Sequence, residues 1–213
     1  MKLGISSALE HTDPHDWALK HKRLGLECVN FPVDHTAGEE VFMAYKEAAD
    51  EAGLMIAEVG VWRNTLARDP EERERWIRYA IGQLEMADRI GARVDRDEFG
   101  AHLDVVNMIT SPERYFFNEI FIEECFEKLD GRICSCHLKD VLLKQEYTFQ
   151  LEECACGQGT LDIGRYADLA SAQDPDMPMI IEHLDTDSEY RDSVMYVRNR
   201  LLQLGDGGVP DGA

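Results

Sequence analysis

The clearest pattern in this chain is an alternation of short apolar runs with longer stretches in which apolar residues recur every three to four positions. Short apolar runs predict buried strands, and the periodic stretches predict amphipathic helices. We expect strands at residues 2–7, 26–32, 54–62, 99–107, 133–140 and 178–184. We expect helices near residues 13–24, 39–52, 69–90, 118–129, 166–172 and 188–204, with a long irregular loop or hairpin over 141–162.

Repeated strand–helix units of this kind favour a parallel sheet. Glycines follow three of the helices, at Gly25, Gly53 and Gly91, as is common where a helix stops. The pattern predicts an α/β fold, a (β/α)8 TIM-type barrel, although six strands are visible where a closed barrel has about eight. We expect one barrel domain over residues 1–204, followed by a disordered tail over 205–213.

The shortfall in strands is confined to one place. The residues after Gly91 resemble the start of a strand, but the next predicted strand begins within a few residues. Roughly two βα units are therefore expected to be absent between Arg93 and Val94, on the order of 60 residues in this fold. Two explanations stay open. The two units are deleted from the protein itself, or the protein contains them and they are missing from this sequence.

Three of the apolar runs end in a side chain that can bind a metal. Asp104, His137 and Glu182 each stand where a predicted strand runs out. In a parallel barrel the carboxyl ends of the strands converge on one mouth, so these side chains should meet there. One Asp, one His and one Glu are suitable donors for Mn²⁺, Co²⁺, Mg²⁺ or Zn²⁺.

The net charge of the chain limits the classes of partner that it is expected to bind. The chain has 42 acidic and 22 basic residues, a formal net charge of -20, which disfavours nucleic acid as a partner. No apolar stretch reaches the roughly 18 residues needed to cross a bilayer, and the first residues lack the apolar run of a signal peptide. We therefore expect a cytoplasmic protein without a membrane partner.

The six cysteines carry a weaker signal. Cys134 and Cys136, and likewise Cys154 and Cys156, are separated by one residue, a poor match to the longer spacers of structural zinc sites. We interpret the cysteines as small buried thiols in a reducing cytosol.

Five segments together resemble the sugar phosphate isomerase/epimerase family, the xylose-isomerase-like TIM barrels that include ketose 3-epimerases and inosose dehydratases. These segments are AEVGVWRN (57–64), FGAHLDVVNM (99–108), SCHLKD (135–140), GQGTLD (157–162) and IIEHL (180–184). The resemblance implies a divalent metal at the barrel mouth, held here by Asp104, His137 and Glu182. The family's fourth ligand, a Glu on the fifth strand, has no counterpart in this sequence.

The resemblance also implies roles in the reaction. Glu182 corresponds to one of two catalytic carboxylates, and the absent fifth-strand Glu to the other. Many relatives have His where this chain has Asn107, which cannot act as an acid or base and is expected to hydrogen-bond a substrate hydroxyl. Further substrate contacts are expected from a set of side chains near the strand ends: His11, Glu58, Trp62, His102 and Lys139.

Each of these contacts has a structural alternative. Glu58 could pair with a nearby cation, Trp62 could belong to the core, and Lys139 could pair with a surface carboxylate. His102, two residues before Asp104 and on the same face of a strand, is expected to support the ligands from beside the site.

The resulting hypothesis is a metal-dependent isomerase or epimerase of a small sugar or sugar derivative, which removes a proton next to a carbonyl through an enediolate. An alternative is a lyase resembling inosose dehydratase. A catalytically inactive ligand-binding barrel becomes preferable if the gap after Arg93 is real, and exposed barrel edges would then allow a homo-oligomer. A DNA-repair endonuclease is the third choice, disfavoured by the net charge.

Overall fold

The computed structural model describes residues 1–93 and 100–205, which fall into two compact units. The first unit contains residues 1–7 and the chain from residue 100 onward, and the second contains residues 8–93. A single domain over residues 1–204 stays a prediction. The predicted tail lies outside the described residues except for Gly205, which is the last residue of a helix.

The described chain alternates strands and helices in the predicted order. The strands are β1 (Lys2–Ile5), β2 (Cys28–Asn30), β3 (Met55–Glu58), β4 (Ala101–Leu103), β5 (Ile133–Leu138), β6 (Asp140–Leu143), β7 (Leu151–Cys154) and β8 (Pro178–Ile181). The helices are α1 (Pro14–Arg23), α2 (Glu39–Ala52), α3 (Pro70–Ile90), α4 (Pro112–Phe116), α5 (Asn118–Leu129), α6 (Ile163–Gln173) and α7 (Asp187–Gly205). Short 3-10 turns occupy His35–Ala37 and Val106–Met108.

A four-stranded parallel sheet, in the order β1-β8-β5-β4, organises the first unit. The first strand of the chain pairs with the last, from Lys2 opposite Pro178 to Ile5 opposite Ile181. This neighbour relation is the one that closes a βα barrel. All four residues of β8 are buried, which explains why its sequence is continuously apolar.

The second unit contains the parallel pair β2-β3 and helices α1 to α3. Its helices begin and end at the expected residues: Asp13 and Asp69 cap α1 and α3, and Gly53 and Gly91 end α2 and α3 in the left-handed conformation. A cluster of buried side chains, which includes Trp17, Val29, Phe42, Ile56 and Met86, forms the core of this unit.

The chain beyond α3 begins as a further strand would. The backbone N–H of Arg93 donates to the carbonyl of Ile56 in β3 at 2.9 Å, which continues the sheet by one hydrogen bond. The predicted junction between Arg93 and Val94 lies at the limit of the described residues, because residues 94–99 lie outside them.

Several predicted strands are shorter in the structure. The run at 54–62 is strand only to Glu58, so Trp62 lies beyond it, 64% exposed, and the interpretation of Trp62 as a core residue is wrong. Within the predicted run at 99–107, the described residues, which start at residue 100, form a strand over Ala101–Leu103, and a 3-10 turn follows. The short helix α4 was not predicted.

The segment at 141–162 contains an antiparallel hairpin, β6-β7, followed by a loop that folds around the carboxylate of Asp140. Asp140 Oδ1 accepts hydrogen bonds from the backbone N–H groups of Val141 and Leu161, at 2.8 and 2.9 Å. Oδ2 accepts from the N–H groups of Gly157 and Gly159, at 2.9 and 3.0 Å. A Cβ on Gly159 would collide with Asp140, so the close approach requires glycine.

All six cysteines are thiols rather than disulfides, and Cys28, Cys125, Cys136 and Cys156 are buried as expected, whereas Cys134 and Cys154 are only partly buried. Among the described helices, none has the length and apolar character to cross a membrane.

Replacing Asp140 with Asn is expected to lower the free energy of unfolding by about 3 kcal/mol. The NH₂ group of the asparagine would face two backbone N–H donors that a carboxylate oxygen now accepts from. Urea denaturation measures the change. Asp176→Asn, which removes an exposed carboxylate paired with Lys2, is the matched control and should change stability by less than about 1 kcal/mol. Equal effects of the two substitutions would contradict the anchoring role of Asp140.

Candidate metal centre

Asp104, His137 and Glu182 come together at the carboxyl edge of the first unit's sheet. Asp104 follows β4, His137 is the penultimate residue of β5, and Glu182 follows β8. One potential ligand atom from each lies within 4.8 Å of the others. The predicted convergence follows from the parallel pairing of β4 and β8 with β5 between them, which brings the three strand ends to one edge.

The end of β4 is fixed from two sides. The hydroxyl of Tyr166, fully buried on α6, donates to the carbonyl of Leu103 at 2.8 Å. The backbone N–H of Asn107 donates to Asp104 Oδ1 at 3.1 Å. Asp104 therefore accepts a hydrogen bond from the following 3-10 turn with one oxygen while its other oxygen contacts Lys139.

Lys139 lies at the centre of this group and is only 1% exposed. Its Nζ donates to Asp104 Oδ2 at 2.9 Å and to Glu182 Oε1 at 2.7 Å. The alternative of pairing with a surface carboxylate holds in part: Asp104 and Glu182 are mostly buried, but a third carboxylate, that of the half-exposed Glu153, lies 3.4 Å from Nζ. The ammonium compensates charges that would otherwise be costly to bury.

These contacts set the protonation of the carboxylates. Burial alone would raise the pKa of Asp104, but His137 and Lys139, together with the Asn107 N–H, outweigh burial and hold that pKa well below its usual range. Burial likewise opposes ionisation of Glu182, and His137 and Lys139 lower its pKa. In turn, burial would lower the pKa of Lys139, and the two carboxylates raise it. All three groups are charged at neutral pH.

The imidazole of His137 contacts the carboxylates with one ring nitrogen. Its Nδ1 lies 2.9 Å from Glu182 Oε2 and 3.9 Å from Asp104 Oδ2. The ring of His102 meets that of His137 edge to face, with centroids 3.9 Å apart, and His102 Nδ1 lies 2.6 Å from Ser135 Oγ. His102 thus lies beside the ligand set, as its position in the strand predicted.

Two residues at the site were not predicted from the sequence. Glu153, on β7, places Oε1 3.4 Å from Lys139 Nζ. His183 places Nδ1 2.7 Å from Glu153 Oε2 and 3.3 Å from Lys139 Nζ. In an extended strand His183 would point away from the side of Glu182, but its φ of 60° turns the backbone and brings the two side chains to the same site.

The other predicted substrate contacts are placed as follows. Asn107 is exposed on the turn after Asp104. His11, Glu58 and Trp62 belong to the second unit, where His11 uses both ring nitrogens, at 2.8 Å from the Leu9 carbonyl and 2.7 Å from the Tyr45 hydroxyl. Their substrate-binding roles stay predictions.

The donor set fits a divalent cation. Two carboxylates and an imidazole on three fixed strand ends are suitable ligands for Mn²⁺, Co²⁺, Zn²⁺ or Mg²⁺. Within residues 1–93 and 100–205, no cysteine belongs to a cluster of this kind, which disfavours a thiolate zinc site.

The lowered pKa values predict how stability depends on pH. The folded state keeps Asp104 and Glu182 ionised below their ordinary pKa values of 3.8 and 4.5, so their contribution to stability is present above about pH 4.5 and is lost as the pH falls further. Glu182→Gln should cost about 3 kcal/mol at pH 7 and clearly less at pH 3, measured by urea denaturation across pH. The same cost at both pH values would contradict this assignment.

The comparisons with known proteins agree with this architecture. No protein-family model matches the chain, and no curated protein matches it in sequence. Its solved structural neighbours include the 3-keto-D-glucoside 4-epimerase of E. coli, with a TM-score of 0.64, 14% identity, and coverage of 93% of this chain and 99% of that one.

Two further neighbours have similar folds. A D-tagatose 3-epimerase-like protein has a TM-score of 0.61 and 12% identity, with 97% of this chain and 99% of that chain covered. A xylose isomerase-like TIM barrel protein from Mycobacterium smegmatis, solved in complex with magnesium, has a TM-score of 0.54 and 12% identity, with 95% and 96% covered. The chain thus has the fold of the xylose isomerase-like TIM barrels, in a form that at 213 residues is shorter than the roughly 250 typical of the fold.

Proposed function

We propose that this protein is a divalent-metal-dependent isomerase or epimerase of a small sugar or sugar derivative. The observation that carries the proposal is the meeting of Asp104, His137 and Glu182 at the carboxyl edge of a parallel sheet, the edge where βα barrels carry their active sites. The neighbours support it, since two of the three described above are named as sugar epimerases or as similar to one, and the third was solved with magnesium.

Asp104, His137 and Glu182 would hold the metal. When bound, a divalent cation would stabilise negative charge that develops on substrate oxygens during proton removal. The nearby Lys139 adds a further positive charge to this edge of the sheet, which favours a substrate with an electron-rich oxygen.

Glu182 is the proposed proton acceptor. Its lowered pKa keeps the carboxylate ionised at neutral pH, as a base must be before it takes a proton from carbon. At 4% exposure it is largely shielded from water, which makes its charge more effective toward a bound substrate. Epimerisation needs a second group to return the proton on the opposite face, and in the resembling family that group is the carboxylate that this sequence lacks.

That deficit favours a second candidate, a barrel that binds a sugar without turning it over. The described residues provide three donors at the centre rather than four. Under this alternative the protein binds metal and sugar but exchanges no proton with solvent.

Proton exchange separates the two candidates. The Mn²⁺-loaded protein is incubated in D₂O with a panel of ketoses and inososes, and proton NMR follows the hydrogen on the carbon next to the carbonyl. We expect loss of that signal with at least one substrate, and a decrease in its rate of roughly 100-fold or more in Glu182→Gln. Asp176→Asn, which changes an exposed residue before β8, at the opposite end of that strand from Glu182, should exchange at the wild-type rate.

Exchange without a new product would indicate a slow or blocked second proton transfer. New absorbance from a dehydrated product would instead assign the protein to the lyases. Sugar binding with no exchange in any substrate would contradict the isomerase and leave the binding barrel as the function.

A further inference from the structure

The ammonium of Lys139 lies where the carboxylates of the centre would meet a metal. Its Nζ is 2.7 Å from Glu182 Oε1 and 2.9 Å from Asp104 Oδ2, and its side chain is fully enclosed. Both oxygens therefore already have a cationic partner supplied by the chain. An ion at this centre would bind oxygens of the same two carboxylates, at about 2.0–2.6 Å, and would therefore compete with the ammonium for them.

Charge leads to the same conclusion. Two carboxylates and one ammonium leave this group one negative charge, whereas a divalent ion is best matched by the two negative charges alone. An ammonium that stayed in contact with both carboxylates would repel the incoming ion at close range and in a site sheltered from solvent. Entry of a metal would thus favour a shift of Lys139 away from the two carboxylates.

The structure also provides a place for Lys139 to move to. Glu153, whose side chain on β7 is 40% exposed, places Oε1 3.4 Å from Nζ. His183 Nδ1 holds the other carboxylate oxygen of Glu153 at 2.7 Å and so orients it. A short shift toward Glu153 would leave the ammonium paired, which avoids the cost of burying it alone.

We propose that Lys139 is a displaceable internal cation, and that a divalent metal binds by driving it from Asp104 and Glu182 onto Glu153. This inference rests on the proposed function, since it assumes that the centre binds a metal. It assigns Lys139 and Glu153 as positioning residues that set the affinity for the metal. It predicts opposite effects for their removal.

Isothermal titration calorimetry with Mn²⁺ tests the exchange on the full chain. Lys139→Met should tighten Mn²⁺ binding by at least roughly tenfold, because the ion no longer displaces an ammonium. Glu153→Gln should weaken binding, because the displaced ammonium loses its acceptor. Glu152→Gln is the matched control: it removes the neighbouring carboxylate of β7, which pairs with Lys144, and should leave the Kd within about twofold.

A double variant separates the proposed role of Glu153 from a simple attraction between its charge and the metal. If Glu153 acts by receiving Lys139, then adding Glu153→Gln to Lys139→Met should have little further effect on the Kd. If Glu153→Gln weakens binding equally with and without Lys139, Glu153 acts on the metal directly and the exchange is overturned.

Melting temperatures provide a second readout. Without metal, Lys139→Met should melt at a lower temperature than wild type, because two buried carboxylates lose their counter-ion. Added Mn²⁺ should raise the melting temperature of this variant more than that of wild type. Lys139→Gln, neutral but able to hydrogen-bond both carboxylates, replaces it if the Met variant does not fold. It is expected to tighten Mn²⁺ binding as well.

The outcomes distinguish the two proposals. Tight Mn²⁺ binding by wild type with an unchanged Kd in the Lys139 variants would overturn the exchange and leave the metal centre standing. Binding only after Lys139 is replaced would overturn the exchange, because the ammonium would then exclude the ion from the wild-type protein, and would contradict the metal-dependent function as well. No Mn²⁺ binding by any variant would overturn the metal centre and the exchange with it.

Discussion

Parallel pairing of β5 with β4 on one side and β8 on the other is the constraint on which the centre depends. It brings three strand ends to one edge, so residues some 80 positions apart in sequence meet within a few ångströms. The same edge also brings two carboxylates close together. Asp104 and Glu182 are tolerated there because Lys139 and His137 compensate them, and the enclosed ammonium is tolerated because of the carboxylates.

The hairpin β6-β7 adds a further contact at this edge of the sheet. Asp140, next to Lys139, binds four backbone N–H groups and so fixes both the start of the hairpin and the loop that follows it. Glu153 reaches the ammonium from β7 as a consequence. One short segment of chain thus contributes the central cation, the structural anchor and, through the anchored hairpin, the third carboxylate around that cation.

The sequence predicted the α/β fold and the meeting of three ligands because those depend on local signals: apolar runs, helix caps and a polar residue at each run's end. It did not predict Glu153, whose strand LEEC has no apolar alternation to distinguish it from a loop. It missed His183 because a left-handed histidine after a strand has no sequence signature. Lys139 was expected to contact a substrate. Its burial depends on contact with Glu182, 43 residues later in the chain, and no local pattern in the sequence indicates that contact.

The central claim is that Asp104, His137 and Glu182 form a binding centre for one divalent ion. Electron spin-echo spectroscopy of the protein titrated with Mn²⁺, prepared with ¹⁵N-labelled histidine, tests this most directly. We expect one bound ion per chain and a hyperfine coupling from one directly coordinated histidine nitrogen. This coupling should disappear in His137→Gln. A bound ion with no histidine coupling, or a coupling that survives this substitution, would contradict it.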